Sequence, residues 1–277
     1  MHLKNFVQFS SVRATANRTF GSLGRSRVRK VAIAGSVGLL SLHTFAAPTG
    51  GAEPALTAMP RDLETRYALS AAPPAIRDQA DVYLLDPGNG YYQAIQGKNG
   101  IACLVERTVW EMVDFRDDIF IPLCYDAAGT TAHLRVIMDT ASLRAQGMDA
   151  PSVKAEIERR YTDKTYGAPE RAGLSYMVAP VMRAPGPPDL HVHTMAMPHF
   201  MFYAPYITNA DIGALPNLSD PASLANPFID RQGNSAQSYM IQMVGAAEKT
   251  RILELEKSLV TALCEYRKAL CLSGPHH

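Results

Sequence analysis

Basic excess is missing from the body of this chain. The formal net charge is +1, yet residues 1–47 carry seven basic side chains (Lys4, Arg13, Arg18, Arg25, Arg27, Arg29 and Lys30) and no acidic one, which leaves 20 basic against 26 acidic residues for the remainder. A nucleic-acid binder carries its basic patch on the working domain, so nucleic acid is set aside as a partner. The short motifs of familiar enzyme classes are also missing. Gly173-Leu-Ser-Tyr-Met177 and Gly233-Asn-Ser-Ala-Gln237 each lack the last glycine of a hydrolase nucleophile elbow, and there is no H-E-x-x-H, P-loop or dinucleotide glycine signature. Nor is there a C-x-x-C, the usual marker of redox exchange, zinc ribbons and covalent haem. General disorder is excluded by the opposite observation: 47% of the 277 residues are apolar, enough to bury a sizeable core.

The leader is the first positive signal. A basic region through Lys30 runs into Val31–Ala47, an apolar stretch interrupted only by small or weakly polar residues, and then into Pro48 and a Gly-rich stretch. That order predicts a signal peptide over 1–47, with cleavage near Ala46–Pro48 and a periplasmic or extracellular destination. The apolar run is too short and too rich in Gly and Ser for a membrane span of about 20 strongly apolar residues, so no stable span is expected once the leader is removed. The Arg- and Ser-rich basic region also fits an organelle transit peptide, and a start at Val28 would give a leader of ordinary proportions.

Residues 48–74, with Gly50-Gly51, Pro54, Pro60 and Pro73-Pro74, read as a flexible linker or arm. A single α+β domain over 75–277 follows, mainly an antiparallel sheet with covering helices and a long C-terminal helix. Asp86-Pro-Gly-Asn-Gly90 predicts a hairpin turn between strands 81–85 and 91–95, and Asn99-Gly100 a second turn into Ile101–Arg107, giving three antiparallel strands. Ile119–Tyr125 and Leu134–Met138 are read as strands around a turn at 127–130. Helices are expected over 140–147 and after Asp149, where Val153, Ile157 and Tyr161 recur at fourth positions. Leu174–Val178 and Ser238–Met243 are extended, with a long irregular segment over 206–232. In 246–270 the residues Ile252, Leu255, Leu259, Leu263, Tyr266 and Leu270 form one apolar stripe.

Four cysteines, Cys103, Cys124, Cys264 and Cys271, predict two disulfides in an oxidising compartment. Local pairing is easy for Cys103 with Cys124. For Cys264 with Cys271 it requires the helix to stop first, because seven helical residues span about 10 Å and a disulfide needs Cα atoms within about 7 Å. Crossed pairings stay open.

The chemically densest stretch is Leu190–Pro205, which holds three of the eight histidines and three of the twelve methionines. If it is extended, His191, His193, Met195, Met197, His199, Met201 and Tyr203 share one face. His191 and His193 would stand about 6–7 Å apart, within reach of one ion. With Met195 they form the candidate metal site, and the soft donor set points to copper. His191 to Met201 covers about 33 Å if extended, so one site could use only near neighbours plus a ligand such as His133. The plainer reading makes the methionines and Phe200 and Phe202 core. A second candidate is an acid–base site in Thr108–Asp118, from Glu111, Asp114 or a histidine; His199 and Tyr203 complete the candidates.

Three segments, Met197–Pro205, Asn209-Ala-Asp-Ile-Gly213 and Cys264-Glu-Tyr-Arg-Lys-Ala-Leu-Cys271, resemble a group of exported bacterial proteins over most of the mature chain. The resemblance implies export and one continuous domain, and brings no assigned activity. The functional expectation is an exported small-ligand or copper-binding protein using the 191–203 face, against a hydrolase-type enzyme or a structural protein without a small ligand.

Overall fold

Two short helices precede the sheet. The computed structural model of the protein describes residues 54–273, so the expected leader lies outside the described residues. Helix α1 (Arg61–Ser70) starts directly after Pro60, carries Asp62 and Glu64 in its first turn, where carboxylates suit the helix dipole, and buries Leu63, Glu64, Tyr67 and Ala68. Helix α2 (Pro74–Arg77) has proline at its first position. The expected linker over 48–74 is therefore corrected from residue 61 onward. Its prolines flank helices at positions where a missing N–H costs nothing, rather than breaking the chain into a loop.

Strands β1 (Asp81–Asp86) and β2 (Gly90–Ile95) form the expected hairpin, with the Asp86 carboxylate accepting from Gly88 N and Asn89 Nδ2 in the turn. Strand β3 (Ala102–Glu106) lies on the other side of β1 and runs parallel to it, against the expectation of three antiparallel strands. Two chain reversals, at the hairpin and over 96–101, restore the direction of β1. Strand β4 (Ile121–Tyr125) pairs antiparallel with β3.

The strand expected at Leu134–Met138 is helix. Asp126 accepts from Gly129 N and starts α3 (Ala127–Gly129), which runs through a π-helical stretch (Thr130–Leu134) into α4 (Arg135–Ala145). Val136 and Ile137 suggest a strand by composition, but the buried set Val136, Ile137, Thr140, Ala141 and Leu143 has helical spacing. Helix α5 (Ala150–Thr162) is capped by Asp149 and buries Val153, Ile157 and Tyr161 as expected.

The remaining strands are β5 (Leu174–Met177), β6 (Met182–Pro185), β7 (Val192–Met195), β8 (His199–Tyr203), β9 (Phe228–Arg231) and β10 (Ser238–Met243). Strands β6 and β7 form a separate two-stranded sheet, and the others build an eight-stranded sheet of order β2-β1-β3-β4-β5-β8-β10-β9. Every neighbouring pair except β1–β3 is antiparallel, so the fold is α+β with a mainly antiparallel sheet.

The long C-terminal helix is not formed as one piece. Helix α6 (Ala246–Leu255) and helix α7 (Lys257–Tyr266) are separated at Glu256, whose backbone leaves helical geometry and whose carboxylate pairs with Arg77. The break leaves Leu255 58% exposed while Leu259 and Leu263 are buried, so the apolar stripe is real but not continuous. Helix α7 stops before Cys271, and the Cys264–Cys271 Cα separation is 4.4 Å. Cys103 and Cys124 stand directly opposite on β3 and β4 and form the other disulfide. Both pairings are local.

Strand alternation divides the sheet into two faces. Val82, Leu84, Cys103, Val105 and Cys124 pack with α1 and α7. Leu104, Ile121, Leu123, Tyr125, Met177, Met201 and Ile241 face the other way, toward α4, the β6–β7 hairpin and the 206–232 segment. At one edge Asp117 gathers three distant stretches: Thr57 N donates to it at 2.9 Å, Arg107 Nη2 at 3.0 Å and Arg267 Nη2 at 2.5 Å. Both arginines also lie against the Phe120 ring, at 3.9 and 5.4 Å from its centroid.

Candidate functional site

The second face of the sheet is incompletely filled. Between it and its covering elements lies an open cavity of about 350 Å³. Strands β4, β5, β8 and β10 supply the floor through Tyr125, Met177, His199, Met201, Tyr239 and Ile241, while Met182, Ala184 and Met197 close one side. The polar groups arrive from elsewhere: Glu106 from the end of β3, Glu111 from a 3₁₀ turn at Trp110–Met112, His133 from the π-helical stretch, and Asp230, Arg231 and Gln232 from the end of β9. Four methionines and a few converging polar groups make this an apolar pocket with fixed polar contacts, the common make-up of small-molecule sites.

His133 is 1% exposed. Its ring stacks at 5.0 Å on Tyr203 and at 6.0 Å on Tyr125, with Tyr239 edge-on at 6.0 Å. Nδ1 lies 3.1 Å from Gln232 Oε1, so it carries the proton that this bond needs, and among the described residues Nε2 is left as a buried acceptor with no partner. Burial lowers the His133 pKa to about 4. His199 repeats the pattern: Nδ1–H donates to Met197 O at 2.7 Å, and burial lowers its pKa as well. Four residues of β8 separate His199 from Tyr203, a distance of about 13 Å, so the two imidazoles mark different ends of the cavity.

Glu106 is 9% exposed, and among the described residues its carboxyl has no hydrogen-bond donor. Burial, with the like charge of Glu111 adding to it, holds its pKa well above the usual carboxylate range. Glu111 and Asp230 are exposed, and both line the cavity. Partial desolvation against the wall is the main reason the Glu111 pKa rises to about 7 and the Asp230 pKa also rises. The residue closing the turn that carries Glu111 is Val113, at φ 54°. A β-branched residue there costs on the order of 1–3 kcal/mol, so the surrounding structure holds the turn in a conformation it would not adopt alone.

No protein-family model, curated protein or solved structure matches this chain. The site is therefore read from its own chemistry.

The structure divides the residues singled out from sequence. Glu111, His133, His199 and Met201 meet at the cavity, and Tyr203 supports it by stacking on His133 and donating to Asp126 at 3.1 Å. His191, His193 and Met195 belong to the β6–β7 hairpin instead. His193 Nε2 lies 2.7 Å from Asp189 Oδ1, His191 is exposed, and Met195 packs near Gly186. Among the described residues no three His, Cys, Asp or Glu side chains are grouped to hold a metal ion. Asp114 lies 3.6 Å from Arg116, with its side chain 60% exposed, and takes no part in the cavity. The sequence reading missed Glu106, Asp230 and Tyr239. Glu106 left a usable trace, because alternation places it on the face of Ala102 and Leu104, where a carboxylate is out of place.

Proposed function

We propose that this protein is exported and binds a small molecule in the cavity on the β8 face. The observation that carries the reading is the cavity itself: about 350 Å³ of space floored by methionine, tyrosine and isoleucine, with Glu106, Glu111, His133 and Asp230 in its wall. Two disulfides support an oxidising destination, as does the basic-then-apolar order of residues 1–47. Among the described residues, no helix is long and apolar enough to cross a membrane.

The test uses a neutral fluorescent probe, N-phenyl-1-naphthylamine, with the mature protein. Saturable binding of one probe per chain is expected, and Met201→Trp, which fills the middle of the floor, is expected to abolish it while circular dichroism stays native. A folded wild-type protein that binds no probe removes the reading. For export, protein recovered from its native compartment without reductant is expected to show no free thiol.

A further inference from the structure

The polar wall of the cavity holds three carboxyl residues, Glu106, Glu111 and Asp230, against one cation, Arg231. Glu106, Glu111 and Asp230 influence one another in sequence around it, since Glu111 acts on Glu106 and Asp230 acts on Glu111. Asp230 has Arg231 nearby and Glu111 feels Lys154, but the only charge acting on Glu106 is the like-charged Glu111. A carboxyl that is nine-tenths buried, faces a cavity and lacks both a donor and a cation is costly for the protein alone. His133 Nε2 adds an independent sign of the same kind, a buried acceptor without a donor in a ring that lines the same wall. What Glu106 lacks is a donor, and since it lines the cavity the donor comes from the ligand.

An ammonium group brings three donors and a positive charge. Both Tyr125 and Tyr239 line the cavity and lie close enough to Glu106 to feel its charge. Another part of the wall, Met177, Met182, Met201 and Ile241, is apolar and fits an apolar body. We infer that the ligand of this cavity is an organic amine with an apolar body, its ammonium group seated beside Glu106. The inference rests on the cavity being the binding site, as proposed above. A carboxylate ligand would meet three carboxyls, and a neutral alcohol would bring no positive charge to favour the ionised form of Glu106.

The experiment compares three probes of one size, 4-phenylbutylamine, 4-phenylbutanol and 4-phenylbutyrate, by displacement of N-phenyl-1-naphthylamine and by direct calorimetry on the mature protein. The amine is expected to bind at least tenfold more tightly than the alcohol, with the carboxylate weakest. Glu106→Gln, which keeps the volume and removes the ionisable group, is expected to cut the amine's advantage over the alcohol below threefold while circular dichroism stays native. Glu111→Gln, at the solvated mouth, provides a second variant with a smaller loss in the same direction. Equal affinity of amine and alcohol for the wild type, or an undiminished amine preference in Glu106→Gln, overturns the amine assignment and leaves the cavity reading standing. If neither the naphthylamine nor any of the three probes binds, both fall together.

Discussion

Glu64 offers a sharp test of how burial sets ionisation in this fold. It lies on the inner side of α1, 2% exposed, and its Oε1 accepts from Leu85 N at 3.0 Å. Burial raises its pKa from 4.5 to about 7 against the opposing pull of that hydrogen bond and of Arg107. The folded value lies above the unfolded one, so the contribution to stability is complete below about pH 4.5 and is lost as pH rises through 7. At about 1.4 kcal/mol per tenfold change in proton affinity, the full loss between pH 4 and pH 9 is about 3 kcal/mol. Glu64→Gln keeps the accepting oxygen and the volume but cannot ionise. The variant should match the wild type near pH 5 and exceed it by about 2–3 kcal/mol at pH 8.5, a rise in Tm on the order of 5–10 °C. Urea unfolding at both pH values, with the disulfides intact, measures the difference, and other titrating groups cancel because both proteins share them. Parallel stability curves, or a variant weaker than wild type at pH 8.5, would refute the reasoning.

Gly129→Ala should destabilise the fold by about 1–3 kcal/mol and weaken probe binding, because a Cβ there would stand 1.9 Å from the Tyr203 hydroxyl and push its ring off His133; thermal unfolding and naphthylamine titration read the two effects. Cys103→Ala/Cys124→Ala should lower stability by about 3 kcal/mol and Cys264→Ala/Cys271→Ala by about 2 kcal/mol, since the first bridge closes the longer loop. Denaturant midpoints of the two double variants check the order, and the reverse ranking would count against loop closure as the source of the stabilisation.

Where neighbours in sequence determine structure, the chain could be read directly. The Asp86–Gly90 turn, the Val153, Ile157, Tyr161 row and the grouping of His199, Met201 and Tyr203 on one face are all local, and all three appear in the structure. Helix α1 escaped because prolines on both sides look the same whether they end a loop or flank a helix. The 127–145 helix escaped because Val136 and Ile137 favour strands by composition, while the cap that starts the helix is one aspartate, Asp126. The cavity is harder still to anticipate. Glu106, His133, His199 and Asp230 come together only through the order β3-β4-β5-β8-β10-β9, and no local pattern states which strand will lie beside which. His191 and His193 show the converse: two histidines at strand spacing belong to a different sheet from His199, because the chain turns at Pro198 between β7 and β8.

The Asp117 node also determines how the chain can be cut and rejoined. Thr57 and Arg267 are 210 positions apart yet hold the same carboxylate, so the first and last parts of the described region lie a few side-chain lengths from each other. A peptide of a few residues could join them, with new ends opened in the exposed Thr208–Leu215 loop. Such a permuted chain would place its new ends far along the sequence from both cystine bridges. Folding would then depend on pairings between strands rather than on the order in which the strands leave the ribosome.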